Sequence, residues 1–299
     1  MRDEPFIVKN IIKTSASSVE IIFENSEIDT SHKPGEFVML TVPNLREDAG
    51  WKQITEYDVW LKICNNEKII FSNLEEKTLQ KMIDALIVKN MVVTKNGVYK
   101  KGNIDCPDTP PRPLKRAYSL SSTGLEKGII STMVKEMPFG YMSHYIAQRL
   151  QVGDKVQISG PLGHFSYDVN TMKNVLLIGA GSGITPLMGI LRYLDQSKKS
   201  EANATLLYSN TTEDNIIFKD ELGLITKNNP NLSVVHTLTR QEWEGRIGRI
   251  NSGLIQEALE RLNSPHIFIC GTLAFAENME QLLLTLDIPK ERIKREAYG

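Results

Sequence analysis

The sequence predicts two domains in series: an antiparallel β-rich first half, then an α/β second half built on a parallel sheet. Three observations carry this. Extended apolar runs bounded by Ser-rich and Pro-Gly turns fill the start of the chain. After Asn174 strand and helix patterns alternate, which requires a parallel sheet with helices on both faces. A glycine-rich turn, Gly179-Ala180-Gly181-Ser182-Gly183-Ile184-Thr185-Pro186, closes the apolar strand that opens this alternation.

In chain order, Phe6–Lys13 and Val19–Phe23 read as strands across a Ser/Ala turn, and Pro34-Gly35 precedes the strand Phe37–Val42, which Pro43 ends. The β pattern resumes at Ala117–Ser121 and Gly128–Glu136. A helix follows over Ser143–Leu150, and Val152-Gly153-Asp154 turns the chain into the strand Lys155–Ser159, after which Gly160-Pro161-Leu162-Gly163 breaks regular structure. The second half reads as strand Val175–Ile178, helix Pro186–Asp195, strand Ala204–Tyr208, helix Asp214–Thr226 and strand Ser233–Thr237. Helix Ser252–Arg261, strand His266–Ile269 and helix Ala274–Leu286 complete it. The polar stretch Tyr167–Lys173 marks the boundary, giving domains 1–168 and 169–299.

Composition narrows the function classes. The chain has 299 residues, 41% apolar and 24% charged, and a formal net charge of −1, which gives no electrostatic case for nucleic acid or an anionic membrane. No apolar run approaches a membrane span and the first residues do not lead into a signal-peptide core, so the expected location is cytoplasmic. Three scattered cysteines, Cys64, Cys106 and Cys270, do not make a disulfide framework or a four-thiolate cluster. The five histidines share no ligand spacing, so no metal is expected.

The chemistry concentrates in motifs. Arg116-Ala117-Tyr118-Ser119 sets a cation, an aromatic face and a hydroxyl on one extended segment, Arg116 and Tyr118 facing one way and Ala117 and Ser119 the other. An ordinary strand with an exposed arginine has the same pattern, so the order of surrounding features matters. Gly140-Tyr141-Met142-Ser143 opens a helix whose free N–H groups could meet a pyrophosphate, with Ser143 also a natural N-cap. The turn Gly179–Pro186 can press backbone N–H groups onto a second phosphorylated ligand, although glycines serve tight strand-to-helix turns as well. Thr185-Pro186 adds a hydroxyl and a proline suited to the first helical position. Two such sites in series point to two cofactors exchanging electrons.

In the order of these motifs the chain resembles the ferredoxin–NADP reductase superfamily, over almost its whole length apart from about 45–113. The resemblance implies an antiparallel β-barrel carrying FAD, followed by a Rossmann-like α/β domain carrying NADPH or NADH. Arg116, Tyr118 and Ser119 match the family's Arg-x-Tyr-Ser, which places Tyr118 on the isoalloxazine, Ser119 near the flavin N5 and Arg116 on the pyrophosphate. Gly140 to Ser143 match its Gly-x-x-Ser, and Gly160 to Gly163 its Gly-Pro-x-Gly. Gly179, Gly181, Gly183, Thr185 and Pro186 fall in its dinucleotide turn, and Cys270-Gly271 matches the Cys-Gly pair beside the nicotinamide. Ser119 and Cys270 are thus the candidate catalytic residues. Tyr298 is the candidate for the C-terminal aromatic that shields the flavin, although the Ala-Tyr-Gly ending departs from the commoner final aromatic.

Asn210 stands where an acidic residue would favour NADH, while Arg240, with Arg246 and Arg249 nearby, suits a 2′-phosphate; the balance leans slightly to NADPH. With no cluster-binding cysteines in the chain, the expected partner is a separate carrier, ferredoxin or flavodoxin. The alternatives are the reductase component of a larger oxygenase or dehydrogenase complex, and a non-catalytic binding module on the same fold.

The stretch from Pro43 to Lys115 is longer than a connecting loop needs and reads as a small α+β insertion. Val59–Ile63 and Lys68–Phe71 look like strands, and Glu75–Lys89 like an amphipathic helix with Leu79, Met82, Ile83, Leu86 and Ile87 on one face. Met91–Thr94 and Val98–Lys100 flank the hairpin signal Asn96-Gly97. Helix plus hairpin is a winged-helix-like pattern, but its balanced charge argues against DNA and for a cover over the barrel or a docking element.

Overall fold

A computed structural model describes residues 3–42, 91–94, 97–100, 114–137, 141–197 and 202–298. The first half forms the strands β1 (Glu4–Ser15), β2 (Ser18–Glu24), β3 (Phe37–Val42), β4 (Met91–Thr94), β5 (Gly97–Lys100), β6 (Leu114–Ser119), β7 (Ile129–Lys135) and β8 (Lys155–Leu162), with helix α1 (Tyr141–Gln148) before β8. Six of these make one sheet in the order β6-β3-β8-β1-β2-β7. Its ends meet just past β6, where Leu120 bridges Thr132 and Ser121 N–H donates to the Ser131 carbonyl at 2.9 Å. That bridge joins the first strand of the order to the last and curls the sheet into the expected barrel. Alternation fills the interior: in β3, Val38, Leu40 and Val42 are buried between half-buried neighbours, and Phe6, Val8, Ile21 and Phe23 add to the same core.

The strand β8 departs from the sequence expectation. It runs through Gly160 and Pro161 to Leu162, with a cis peptide bond between the two, where a break was expected. Proline in a strand is tolerated where no ladder N–H is needed.

The second half opens with β9 (Asn174–Ala180), followed by a 3-10 turn at Gly181–Gly183 and helix α2 (Ile184–Gln196). Then come β10 (Asn203–Asn210), α3 (Lys219–Asn228), β11 (Leu232–Leu238), the short β12 (Arg246–Ile247), α4 (Ser252–Glu260), β13 (His266–Thr272), α5 (Leu273–Thr285) and β14 (Ile293–Tyr298). They form a parallel sheet in the order β12-β11-β10-β9-β13-β14. Its central strand β9 is buried from Val175 to Gly179, the continuous run of a strand covered on both faces. One face packs against Leu187, Ile190 and Leu191 of α2 and Leu222 of α3, the other against Ile255 of α4 and Met279 and Leu283 of α5.

Three expectations for this half change. Helix α2 starts at Ile184, not Pro186, so the proline is its third residue, still within the first turn where N–H groups have no helical partner. The helix expected over Asp214–Thr226 divides into a 3-10 turn at Glu213–Asn215 and α3, separated by Phe218 in a left-handed conformation. The strands β12 and β14 have no counterpart in the sequence reading. In Ile293-Lys294-Arg295-Glu296-Ala297-Tyr298 the apolar signal is too sparse, and the pairing with β13 makes the strand.

Of the insertion, β4 and β5 form the expected hairpin, Thr94 opposite Gly97. The expected strands at Val59–Ile63 and Lys68–Phe71 and the helix Glu75–Lys89 lie outside the described residues. Residues 41–115 and 136–150 group as one compact unit and the rest of the chain as another. Within the first of these, Ser143 Oγ accepts from Met137 N–H at 3.1 Å and Gln148 donates to Glu136.

At Gly183 a Cβ would lie 2.1 Å from the Cys270 carbonyl oxygen, so the turn can pass under the end of β13 only as glycine. Gly183→Ala must push the two segments apart, with an expected loss of about 1–3 kcal/mol of stability, measured by chemical denaturation.

Candidate functional site

The sheet order itself locates a site. From β9 the chain moves outward through β10, β11 and β12, then returns to place β13 on the other side of β9. Connections that leave in opposite directions open a crevice at the carboxyl ends of the two strands, where open α/β sheets bind ligands. The glycine turn Gly179–Gly183 follows β9 there, and Cys270-Gly271-Thr272 ends β13 beside it.

Helix α2 has Gly183 at its N-cap and no side-chain cap; Ile184 N–H turns back to the Gly181 and Ser182 carbonyls and Pro186 has no N–H, so any free backbone donors here belong to the glycine turn more than to the helix. Gly181 and Ser182 are half-exposed. Thr185, expected to offer a hydroxyl, is buried, and its Oγ1 donates back to the Ser182 carbonyl at 2.8 Å; with Tyr208, whose hydroxyl donates to the Gly181 carbonyl at 2.8 Å, it pins the turn from behind.

Further along the same sheet edge, Asn210 ends β10 and is 6% exposed. Its carbonyl accepts from Thr239 N–H at 2.9 Å, and Thr211 accepts from Arg240 N–H at 3.0 Å, so the structure brings Asn210 and Arg240 together. Buried polar atoms without a hydrogen-bond partner occur on β10 and β11: Asn210 Nδ2, His236 Nδ1 and, on the opposite face from His236, Thr237 Oγ1. Unpaired buried donors and acceptors are costly unless something fills them. Of these, Asn210 stands at the carboxyl end of β10, the strand next to the one that leads into the glycine turn, where an elongated phosphorylated dinucleotide fits. Of the nearby arginines, Arg246 is paired with Glu257.

Strand β6 faces this crevice. Ser119 Oγ lies 2.6 Å from Glu296 Oε1 and 2.6 Å from the Tyr298 hydroxyl, so β6 and β14 meet through three polar side chains. The β13–β14 register sets Cys270 opposite Glu296 and Thr272 opposite Tyr298, which completes a cluster of Ser119, Cys270, Glu296 and Tyr298. A cleft of about 600 Å³ opens next to it, lined among others by Phe37, Ala117, His164 and Lys294. Lys294 holds the floor, donating to the Ser166 carbonyl at 2.7 Å and the His164 carbonyl at 3.3 Å. Arg116 is exposed and Tyr118 half-buried on the other face of β6, a cation and an aromatic ring arranged to receive a planar, phosphorylated group such as FAD.

Burial governs the acid–base character of the cluster. It pushes the Cys270 thiol far up, against a hydrogen bond with Tyr298, so the sulfur stays a neutral thiol packed in the core and does not act as a nucleophile. Burial also raises the Glu296 carboxyl, against hydrogen bonds from Ser119 and Tyr298, so it holds a proton more readily than an exposed glutamate. The Tyr298 hydroxyl is likewise raised by burial, and burial pushes the Tyr118 phenol up to about 12.

Glu296 is the residue the sequence reading missed. Its signal was alternation: two residues before Tyr298 on one strand, it shares the face that turns to Ser119. Among the other expected residues, Met142 and Ser143 are buried in α1, while Gly140 and the side chain of Tyr141 lie outside the described residues.

Similarity to known proteins follows the same division. The model of the oxidoreductase FAD-binding domain matches residues 103–167 and that of the oxidoreductase NAD-binding domain residues 177–281. NADH-cytochrome b5 reductase 1 of Candida glabrata is 28% identical over 187 residues, 60% of this chain and 65% of that protein. An NADH-cytochrome b5 reductase-like protein of Arabidopsis thaliana is 31% identical over 170 residues, 55% of this chain and 51% of that protein. The chain thus spans between half and two thirds of the length of these relatives. Among solved structures, the FAD/NAD-binding domain of a nitric oxide dioxygenase from Vibrio cholerae superposes with a TM-score of 0.68 at 20% identity over the whole of both chains. A ferredoxin NADP+ reductase of Neisseria gonorrhoeae, solved with FAD and NADP bound, gives a TM-score of 0.64 at 17% identity over 99% of each.

The raised Glu296 carboxyl has a signed consequence. A carboxyl whose folded value exceeds its unfolded one adds stability that is complete below about pH 4 and lost as pH rises through the raised value. Glu296→Gln keeps an acceptor for Ser119 and removes that loss. Its melting temperature should equal the wild type's in acid and exceed it increasingly towards neutral pH; parallel curves across the range would contradict this.

Proposed function

We propose that the chain, whose matches to the FAD-binding and NAD-binding oxidoreductase domain models stand in that order, is a flavin oxidoreductase of the ferredoxin–NADP reductase superfamily that passes electrons from a reduced nicotinamide dinucleotide through FAD to a separate one-electron carrier. The single observation carrying this reading is the meeting of β6 with the switch point of the parallel sheet through Ser119, Glu296 and Tyr298. Bound FAD and dinucleotide supply the redox chemistry, a two-electron exchange between them and one-electron steps outward.

The residues of the chain bind, orient and hold a proton. Arg116 supplies a fixed cation for the flavin phosphates, and Tyr118, un-ionised at any physiological pH, a neutral aromatic face. The glycine turn Gly179–Gly183 ahead of α2 takes the dinucleotide phosphates, and Asn210 with Arg240 the ribose beyond them. Ser119 Oγ and Glu296 Oε1 are 2.6 Å apart; when Glu296 is protonated its O–H donates to the buried Ser119 hydroxyl, which gives the proton it holds a hydrogen-bonded route towards β6. Tyr298 covers Cys270 and keeps water from the end of β13.

Two finer choices are part of this proposal. The curated relatives named above are NADH-cytochrome b5 reductases, which favours a cytochrome b5-like haem protein over ferredoxin or flavodoxin as the carrier. They also favour NADH, against the slight lean of the sequence to NADPH. The commitment of Arg246 to Glu257 agrees, since it removes one of the cations expected for a 2′-phosphate.

Anaerobic mixing of the FAD-loaded protein with each dinucleotide tests the reading: NADH should bleach the flavin faster than NADPH, and cytochrome b5 should then be reduced faster than ferredoxin or flavodoxin. A protein that takes up no flavin, or whose flavin neither dinucleotide reduces, would be the binding module instead. Arg116→Ala should weaken FAD binding roughly 10- to 100-fold, the loss of a charge-assisted contact of about 1.5–3 kcal/mol, read by flavin fluorescence on dilution.

A further inference from the structure

Away from the crevice, a second polar contact joins the barrel to the parallel-sheet half, and the mechanism above does not use it. The guanidinium of Arg192, on α2, reaches both oxygens of Glu20 on β2, at 2.5 and 2.9 Å, and both oxygens of Glu221 on α3, each at 2.7 Å. Its Nη1 also donates to the Ser121 carbonyl at 3.0 Å, and its plane covers the Phe218 ring at 4.9 Å. Glu20 is 4% exposed, and its Oε1 further accepts from the hydroxyls of Ser121 at 2.6 Å and Ser131 at 2.9 Å. Burial alone would raise this carboxyl; Arg192 and the two serines hold it below the usual carboxylate range.

The place of this clamp matters more than its strength. One turn before Arg192, a Cβ on Gly189 would lie 3.0 Å from the Ser122 carbonyl and 3.1 Å from that of Leu120, so α2 rests directly on the barrel backbone. Residues 120–122 follow β6 directly in the chain, so Ser121 stands two positions after Ser119. At the other end α2 begins at the glycine turn, about 12 Å from Arg192 at the rise of a helix. One rigid helix therefore carries the dinucleotide turn at its head and is fastened at its waist to the strand that carries Ser119. Buried ion pairs are often replaceable by apolar residues without loss of stability, so this one is better understood through geometry than energy.

Resting on the functional reading above, we infer that Arg192 is a positioning residue for electron transfer between dinucleotide and flavin: its clamp on Glu20 and Ser121 sets the separation between the glycine turn of α2 and Ser119 on β6. Transfer of this kind is steep in distance, a misplacement of about 1 Å costing on the order of a hundredfold in rate.

The test is the full-length, FAD-loaded double variant Glu20→Leu/Arg192→Leu, which leaves neither buried charge orphaned, beside Arg192→Lys, which keeps a charge but not the fork. Flavin reduction by saturating NADH should slow more than threefold in the double variant, with intermediate slowing in Arg192→Lys, while the flavin midpoint potential stays that of the wild type. A rate within threefold of wild type in the folded double variant overturns the inference, as does a shifted potential that accounts for the slowing. Hydrogen exchange, run without dinucleotide, reads the clamp separately: amides of residues 120–122 and 189–192 should exchange at least tenfold faster while those of β10 and β13 are unchanged. Unchanged exchange there overturns the inference too. A wild-type protein that no dinucleotide reduces refutes the functional reading alone, and the exchange result still decides whether Arg192 sets this contact.

Discussion

The passage of Gly183 beneath the carbonyl of Cys270 is the constraint on which the rest of the site depends. It brings the turn after β9 and the end of β13 into contact at the point where the sheet connections diverge. A side chain at Gly183 would hold the two strand ends apart, and the register of β13 with β14 would then carry Glu296 and Tyr298 away from Ser119. The absence of one Cβ thus links the glycine turn, the buried thiol and the acid–hydroxyl cluster.

Two kinds of force divide the remaining work. Apolar packing holds each sheet: α2 and α3 on one face of the parallel sheet, α4 and α5 on the other, and alternating side chains inside the barrel. It is strong but weakly directional, so it does not specify how the two sheets face one another. Directional contacts do that. Ser119 with Glu296 and Tyr298, Lys294 with the carbonyls of 164 and 166, and Arg192 with Glu20 and Ser121 each join a barrel or linker segment to the parallel-sheet half. Two of them line one cleft and the third lies away from it, so hydrogen bonds at two places specify how the halves meet.

Burial shapes the chemistry as well as the geometry. Cys270 has the sequence position of a residue at the reacting centre, yet its sulfur is fully buried, neutral and covered by Tyr298. Its sulfur fills space in the core at the end of β13. Glu296 lies on a strand half of whose residues are charged, and its carboxyl is raised because its neighbours remove water from it. The same residue type at Glu20 is driven the other way by Arg192. The two glutamates shift in opposite directions: burial outweighs the hydroxyls at Glu296, while Arg192 outweighs burial at Glu20.

The amino-acid sequence by itself determined what short-range physics can express. Alternation and 3.6-residue periodicity marked most strands and helices, glycine and proline marked the turns, and Arg116-Ala117-Tyr118-Ser119 with Gly179–Pro186 marked the candidate ligand-binding segments. Tertiary structure alone decided the rest. The strands β12 and β14 exist through their parallel partners, Thr185 turns inward because the Ser182 carbonyl needs a donor, and β8 runs through Gly160-Pro161. Glu296 had only its alternation with Tyr298 as a local mark and Arg192 had none, because Ser119 and Glu20 stand 177 and 172 positions from them in the chain. A side chain whose role is set by such distant contacts cannot be told from a surface charge until the fold brings those contacts to it.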